Sequence, residues 1–130
     1  RAAWVVACQR LDVDEIMFVD RSGKILECNR SNVFAVDGDR LCTPALDGGL
    51  LAGVTRGALL EAAREQGVEI DVGALRRDAA FTELYVSSTL KELAPVIELD
   101  GEQLTGWGTT GRAVYSGLRK IIARECGTKT

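Results

Sequence analysis

The sequence predicts an α+β domain whose short strands form a mixed sheet that wraps into a partial barrel, with flanking helices. Short apolar runs alternate with turn-forming residues along most of the chain, which is typical of strands. Two longer stretches place apolar residues at helical spacing. Neither an internal repeat nor a low-complexity linker divides the 130 residues, which therefore fit a single domain.

The predicted strands are joined by turns that carry Gly, Asp or Pro. Asp37-Gly38-Asp39 is typical of a hairpin turn, and Pro44–Leu51 is expected to be irregular. The predicted strands are Glu15–Asp20, Ile25–Cys28, Asn32–Val36, Arg40–Thr43, Val68–Val72, Glu83–Ser87 and Ala94–Leu99.

The predicted helices differ in length and in the strength of their signals. Thr55 opens one helix that runs to about Gln66, where Gly67 serves as the C-cap. A closing helix from about Thr110 to Glu125 places four apolar residues on one face: Val114, Leu118, Ile121 and Ile122. A short helix is predicted for Arg76–Phe81. Arg1–Leu11 is predicted to be helical, with Trp4, Val5, Cys8 and Leu11 on one side.

Composition excludes several classes of function. A net charge of -3 offers no basic footprint for nucleic acid, and no apolar run approaches the roughly 20 residues of a membrane span. The chain has no histidine, and its four cysteines lack CxxC spacing, so we expect no metal site. Scattered cysteines without a signal-peptide pattern indicate reduced thiols and a cytoplasmic protein.

Two segments carry the strongest functional signal. In the first, Glu27–Phe34, an acid ends a strand and a polar stretch precedes the next strand. In the second, Gly48–Arg56, a glycine-rich loop runs into a helix start with free amides and the Thr55 hydroxyl. A carboxylate suits a ring nitrogen and a helix N-terminus suits phosphate, so the pair favours an aromatic, phosphorylated ligand. Taken singly, Glu27 is more typical of a solvated strand end, and Thr55 of an ordinary N-cap.

These segments resemble the C-terminal half of the class IV (fold-type IV) aminotransferases, which use pyridoxal 5'-phosphate (PLP). The group includes branched-chain aminotransferases, D-amino-acid aminotransferases and 4-amino-4-deoxychorismate lyases. The resemblance covers nearly the whole chain and implies the family's C-terminal pseudo-barrel domain for residues 1–130. It rests on motifs in the family's order: Asp14–Asp20, Gly23, Glu27, Ser31–Phe34, Cys42–Pro44, Gly53–Arg56, Glu65–Ile70, Ser88–Val96 and Leu99–Gly101.

The resemblance implies a role for each matching cofactor residue. Glu27 matches the partner of the pyridine nitrogen, and Val54 with Thr55 matches the phosphate cup. Leu51 matches an apolar residue against one ring face, although an ordinary core position explains it nearly as well. Thr89 matches a hydroxyl that binds the phosphate. We expect all five to converge on one concavity.

On the substrate side, the resemblance implies that Ser88 and Leu90 line the pocket wall. Arg30 departs from the small residue that relatives often have at this place. Its guanidinium suits a bidentate contact with a substrate carboxylate, and it suits an exposed position just as well.

The resemblance also implies a catalytic Schiff-base lysine a few residues before the first helix, and therefore just upstream of Arg1. The chain's own lysines, none of which matches that position, are Lys24, Lys91, Lys120 and Lys129. We therefore expect the chain to be a fragment that is inactive alone. The resemblance implies that it packs against an N-terminal domain within a homodimer. An open apolar face is expected to include Trp4, Val5 and Met17.

For the full protein, the favoured reaction is transfer of an amino group between an amino acid and a 2-oxo acid. The alternative is the lyase reaction that releases 4-aminobenzoate from 4-amino-4-deoxychorismate. Glu27-Cys28, Arg30-Ser31-Asn32 and Arg1 lean mildly toward the lyases. A second alternative is a non-catalytic pseudoenzyme domain without the lysine.

Overall fold

The computed structural model describes residues 4–7, 14–29, 31–45, 54–73, 75–88 and 91–126. Within these residues the chain forms nine strands and two helices. The strands are β1 (Trp4–Ala7), β2 (Glu15–Val19), β3 (Ile25–Cys28), β4 (Asn32–Asp37), β5 (Arg40–Pro44), β6 (Glu69–Gly73), β7 (Glu83–Ser88), β8 (Glu92–Leu99) and β9 (Glu102–Gln103). The helices are α1 (Val54–Glu65) and α2 (Thr109–Cys126).

All nine strands belong to one mixed sheet with the order β3-β2-β1-β8-β7-β4-β5-β6, and β9 pairs with β8. The sheet curls so far that its two ends meet. The N–H of Ile25 at the start of β3 donates to the carbonyl of Leu75, just after β6, at 2.7 Å. The α+β fold with a partial barrel is confirmed.

Two apolar clusters pack on opposite faces of this sheet, because neighbouring side chains along a strand point to opposite faces. The barrel core contains no helical residue among those described and comprises Met17, Ile25, Cys28, Val33, Ala35, Cys42, Leu75, Leu84, Val86, Ala94, Val96 and Leu99. The helix-side core joins the sheet to both helices and comprises Phe34, Val36, Leu41, Leu59, Leu60, Ala62, Ala63, Tyr85, Leu93, Val114, Leu118 and Ile121.

Most predicted elements are confirmed, with boundaries that shift by one or two residues. Gly38 in the β4–β5 hairpin has φ 68°, and Gly67 after α1 has φ 75°, a left-handed conformation that glycine adopts at little cost. The N–H of Val68 donates to the carbonyl of Ala63, which satisfies the end of α1. The short strand β9 was not predicted. Neither helix within the described residues has the length and apolar character needed to cross a membrane.

The predicted helix over Arg1–Leu11 is wrong where the structure describes it. Trp4–Ala7 forms β1, which runs parallel to both β2 and β8. A Trp-Val-Val run suits a strand better than a helix, because β-branched side chains lose rotamer freedom in a helix. The side chains of Trp4 and Val5, expected on an open apolar face, lie outside the described residues.

Two further predictions are wrong. Arg76–Phe81 forms turns instead of a helix, because its backbone bonds the β2–β3 turn: Lys24 and Arg76 form an isolated bridge, and the N–H of Arg77 donates to the Gly23 carbonyl at 2.8 Å. Met17, expected at an open face, is only 2% exposed. It points inward because it shares the inner face of β2 with the buried Glu15.

Candidate functional site

At one edge of the sheet, β4 begins and β5 and β7 end. β4 begins at Asn32, which pairs with Ser87 near the end of β7. Extending the β4–β5 register places Pro44, the last residue of β5, opposite Val33, and the Thr43 hydroxyl donates to the Val33 carbonyl at 2.7 Å. The loops after β5 and β7 and before β4 therefore leave the sheet at the same edge.

Glu27 reaches this edge because β3 leads into β4 through a tight turn. The N–H of Cys28 donates to the Ser31 carbonyl at 2.9 Å. Glu27 is half-buried and lies across from Phe18, which is 47% exposed. Because Cys28 belongs to the barrel core, the adjacent Glu27 lies on the outer face of the sheet.

The N-terminus of α1 is tied to the same edge by Arg56. This side chain is buried, and its guanidinium donates to the Pro44 carbonyl at 2.9 Å. Burial lowers the pKa of Arg56 below its ordinary value. Thr55 is half-buried, and the first turn of α1 contains no acidic residue. The first turn of α1 therefore brings backbone donors and a buried cation to the edge where β4 begins and β5 ends.

Two serines end β7 at this edge. The Ser88 hydroxyl accepts the N–H of Lys91 at 3.2 Å. Ser87 is fully buried, and its hydroxyl has no hydrogen-bond partner among the described residues. Tyr85 belongs to the helix-side core, so alternation along β7 places Ser87 on the face that α1 covers.

A buried ion pair, which sequence reasoning missed, joins two of these turns. The Lys91 ammonium lies 3.0 Å from the Glu15 carboxylate, and their side chains are 9% and 0% exposed. The same Glu15 carboxylate accepts the Ser31 hydroxyl at 2.7 Å. The inward place of Glu15 in the alternation of β2 was the available signal, since a buried carboxylate requires a partner.

The structure describes half of the predicted site residues. It places Glu27, Val54, Thr55 and Ser88 at the common edge. Leu51, Thr89, Arg30 and Leu90 lie outside the described residues. Among the lysines, Lys24 belongs to the β2–β3 turn, Lys91 is ion-paired and Lys120 is exposed on α2, whereas Lys129 is outside. Within the described part of the chain, no three His, Cys, Asp or Glu side chains form a group that could hold a metal ion.

A second polar cluster joins the other end of β7 to α2. The carboxylate of Glu83 accepts the N–H of Gly111 at 2.9 Å and the hydroxyl of Tyr85. The Tyr85 oxygen in turn accepts the N–H of Gly108 at 3.0 Å. Burial, followed by the hydrogen bond to Glu83, raises the pKa of Tyr85 above its ordinary value of 10.0.

Comparison with known proteins identifies the family. Residues 3–99 match the family Amino-transferase class IV. The branched-chain-amino-acid aminotransferase of Escherichia coli is 33% identical over 105 residues, which are 79% of this chain and 34% of the relative. The D-alanine aminotransferase of Listeria innocua is 28% identical over 117 residues, 82% of this chain and 38% of the relative.

Solved structures share the fold. A branched-chain amino acid aminotransferase from Thermobaculum terrenum in its PLP form superposes with a TM-score of 0.78 at 27% identity, covering 91% of this chain and 39% of that one. The chain thus spans about a third of the length of these relatives. The family model matches well over half of the 130 residues, so this chain belongs to the class IV aminotransferase family.

Proposed function

We propose that this chain is the C-terminal, cofactor-binding part of a PLP-dependent aminotransferase that moves an amino group between an amino acid and a 2-oxo acid. The observation that carries the proposal is the common sheet edge, which joins Glu27, the N-terminus of α1 and the end of β7. Two relatives are named aminotransferases, one for branched-chain amino acids and one for D-alanine, which favours transfer over the lyase reaction.

The residues present fit PLP. The phosphate requires donors, which the first amides of α1 and the Thr55 hydroxyl supply, and the orphaned hydroxyl of Ser87 lies at the same edge. The pyridine nitrogen requires an acid, which Glu27 supplies. The solved structure from Thermobaculum terrenum in its PLP form supports the same cofactor for this chain.

When bound, PLP supplies an electron sink for the carbon that carries the amino group. In the proposal, the Glu27 carboxylate holds a proton on the pyridine nitrogen. Val54 and Thr55 anchor the phosphate, Leu51 packs on the ring, and Thr89 adds a phosphate contact. Ser88, Leu90 and Arg30 border the substrate.

A reactive lysine must come from outside the described residues. The Lys91 ammonium is already engaged by the buried Glu15 carboxylate, at 3.0 Å. We therefore propose that a segment upstream of Arg1 supplies the lysine, that the chain alone is inactive, and that the complete enzyme is a cytoplasmic homodimer with an N-terminal domain.

The test separates the two cofactor roles in the complete enzyme. Glu27→Gln keeps the size but removes the charge, so the half-reaction under saturating PLP should slow by on the order of a thousandfold, while PLP is retained. Thr55→Ala should weaken PLP binding by about 1.5–3 kcal/mol and leave the rate of the loaded fraction unchanged. Absorbance measures occupancy, and single-turnover kinetics measures the rate.

Two control variants match the two changes. Thr110→Ala removes a half-buried threonine from the first turn of α2, and Glu98→Gln neutralises a half-buried glutamate on β8, away from the β7 end. Both should behave as wild type. Loss of cofactor in Glu27→Gln with a normal rate in the remainder, or a slow but fully loaded Thr55→Ala, would overturn the assigned roles.

A further inference from the structure

Arg56 is a buried cation without a carboxylate partner among the described residues. It is 8% exposed, and its guanidinium donates to one neutral group, the Pro44 carbonyl, at 2.9 Å. An arginine stays charged in proteins, and removing an ionised group from water without a counter-charge is costly. Such a site is tolerated in a fold when a ligand supplies the missing charge.

The position of Arg56 in the first turn of α1 makes its buried charge still less favourable. The N-terminus of a helix is the positive end of its dipole, where an anion is favourable and a cation is not. The first turn of α1 contains no acidic residue to offset either charge. The positive end of the helix dipole and the Arg56 charge therefore coincide at the edge where β4 begins and β5 ends.

The orphaned hydroxyl of Ser87 is an independent sign of a missing ligand. It is fully buried, has no partner among the described residues, and lies on the face of β7 that α1 covers. Ser87 pairs with Asn32, and β5 lies on the other side of β4. Two strand spacings, about 10 Å, therefore separate the backbones of β7 and β5 near Ser87 and Pro44. A buried polar group without a partner is uncommon in a native fold.

We propose that Arg56 is a positioning residue and buried counter-charge for a phosphate monoester held at the N-terminus of α1, with the Ser87 hydroxyl as a further donor. This inference rests on the proposed function, in which the phosphate is that of PLP. Arg56 holds the α1 terminus on β5 through the Pro44 carbonyl and offsets the phosphate charge from behind the amides.

The test uses Arg56→Gln, which keeps an N–H donor for the Pro44 carbonyl but removes the charge. Arg112→Gln, an exposed arginine in the first turn of α2, is the matched control. Each protein is titrated with PLP, with pyridoxal, which lacks the phosphate, and with inorganic phosphate. Urea unfolding is measured with and without phosphate.

Arg56→Gln should weaken PLP binding about 10- to 100-fold and leave pyridoxal binding unchanged. Without phosphate the variant should be at least as stable as wild type, since a desolvated charge has been removed. Added phosphate should raise the urea midpoint of wild type and of Arg112→Gln more than that of Arg56→Gln. A merely structural role predicts the opposite: lower stability without phosphate and an unchanged preference for PLP over pyridoxal.

The outcomes separate this inference from the proposed function. If wild type binds PLP tightly and Arg56→Gln binds it equally well, Arg56 is not the counter-charge and the proposed function stands. If inorganic phosphate stabilises wild type through Arg56 but PLP binds no better than phosphate, the anion site stands and the proposed function fails.

Discussion

The N-termini of the two helices in this domain have opposite charged neighbours: a carboxylate at α2 and a cation at α1. At α2, the buried carboxylate of Glu83 accepts the N–H of Gly111, and the Tyr85 oxygen accepts the N–H of Gly108. Neither helix has an acid in its first turn, but at α1 the buried cation Arg56 donates to a neutral carbonyl. Both helices pack on the same face of one sheet, so the difference is local.

In our proposal, this difference distinguishes a helix that is anchored within the fold from a helix that receives a ligand. A carboxylate at the positive end of α2 satisfies the dipole within the fold, and α2 needs nothing further. The positive end of α1 lies at the sheet edge where β5 and β7 end, and in our proposal the anion at that helix end comes from a ligand. The described residues therefore place a carboxylate at the N-terminus of α2 but not at that of α1.

Lys91 shows what a fully compensated buried cation looks like in the same domain. Its ammonium contacts the Glu15 carboxylate at 3.0 Å, and that carboxylate also accepts the Ser31 hydroxyl. The pair links the start of β2 to the turns before β4 and β8, which flank the proposed site. Lys91 and Arg56 are thus both buried, but the described residues provide a carboxylate only for Lys91.

The largest expected effect comes from breaking the compensated pair. Lys91→Met removes the positive charge that lies 3.0 Å from the fully buried Glu15 carboxylate and should lower the free energy of unfolding by about 3–5 kcal/mol. The double variant Lys91→Met, Glu15→Gln should recover most of this loss. Urea unfolding measures both. A loss below about 1 kcal/mol, typical of exposed pairs, would show that the pair is not buried in solution.

A smaller loss is expected at the anchored helix. Glu83→Gln preserves the shape but removes the charge at the positive end of α2, and should cost about 0.5–2 kcal/mol of unfolding free energy. Arg56→Gln at α1 should cost nothing in the absence of phosphate. Urea unfolding of the two variants side by side tests the contrast, with Glu98→Gln as the control. Equal losses at Glu83 and Arg56 would remove the distinction between the two helices.

The smallest expected effect is a loss of unfolding free energy at alkaline pH, which arises from Tyr85 at the N-terminus of α2. Burial and the bond to Glu83 raise the pKa of Tyr85 above 10.0, so the folded chain keeps a proton that the unfolded chain releases. Stability is therefore complete below pH 10 and falls as pH rises above it, by about 0.8 kcal/mol at pH 10.5.

Tyr85→Phe should remove this contribution and flatten the slope, which urea unfolding between pH 8 and 10.5 measures. Cys42 and Tyr115, whose pKa values are also raised, stay in both proteins and contribute equally. An unchanged slope in Tyr85→Phe would show that Tyr85 titrates normally in the folded protein.

Local chemistry predicted most of the fold. Gly67 marked the end of α1 and Gly38 marked a hairpin, because each position requires a positive φ. The wrong secondary-structure predictions concern segments whose structure depends on contacts with distant parts of the chain. Trp4–Ala7 became a strand because β2 and β8 both pair with it, and Arg76–Phe81 was recruited by the distant β2–β3 turn.

The residues of the candidate site also fall into those that local sequence predicts and those that depend on long-range contacts. The motifs predicted Glu27, Val54 and Thr55, since their chemistry is visible along the chain, and their assigned roles stay predictions. Arg56 stood inside the quoted motif, but its burial without a carboxylate partner among the described residues depends on where β5 ends. The Glu15–Lys91 pair joins residues 76 positions apart in sequence, a contact that neither local periodicity nor the motifs reveal.

The most direct test of the contrast between the two helices is phosphate titration of the ¹⁵N-labelled protein, followed by amide NMR. The account predicts that inorganic phosphate, and PLP at far lower concentration, shift the amides of Val54, Thr55 and Arg56. The amides of Gly111 and Arg112, at the N-terminus that Glu83 already occupies, should stay unchanged. Equal shifts at both helices, or shifts at α2 alone, would contradict the claim that α1 is the helix whose N-terminus receives an anion.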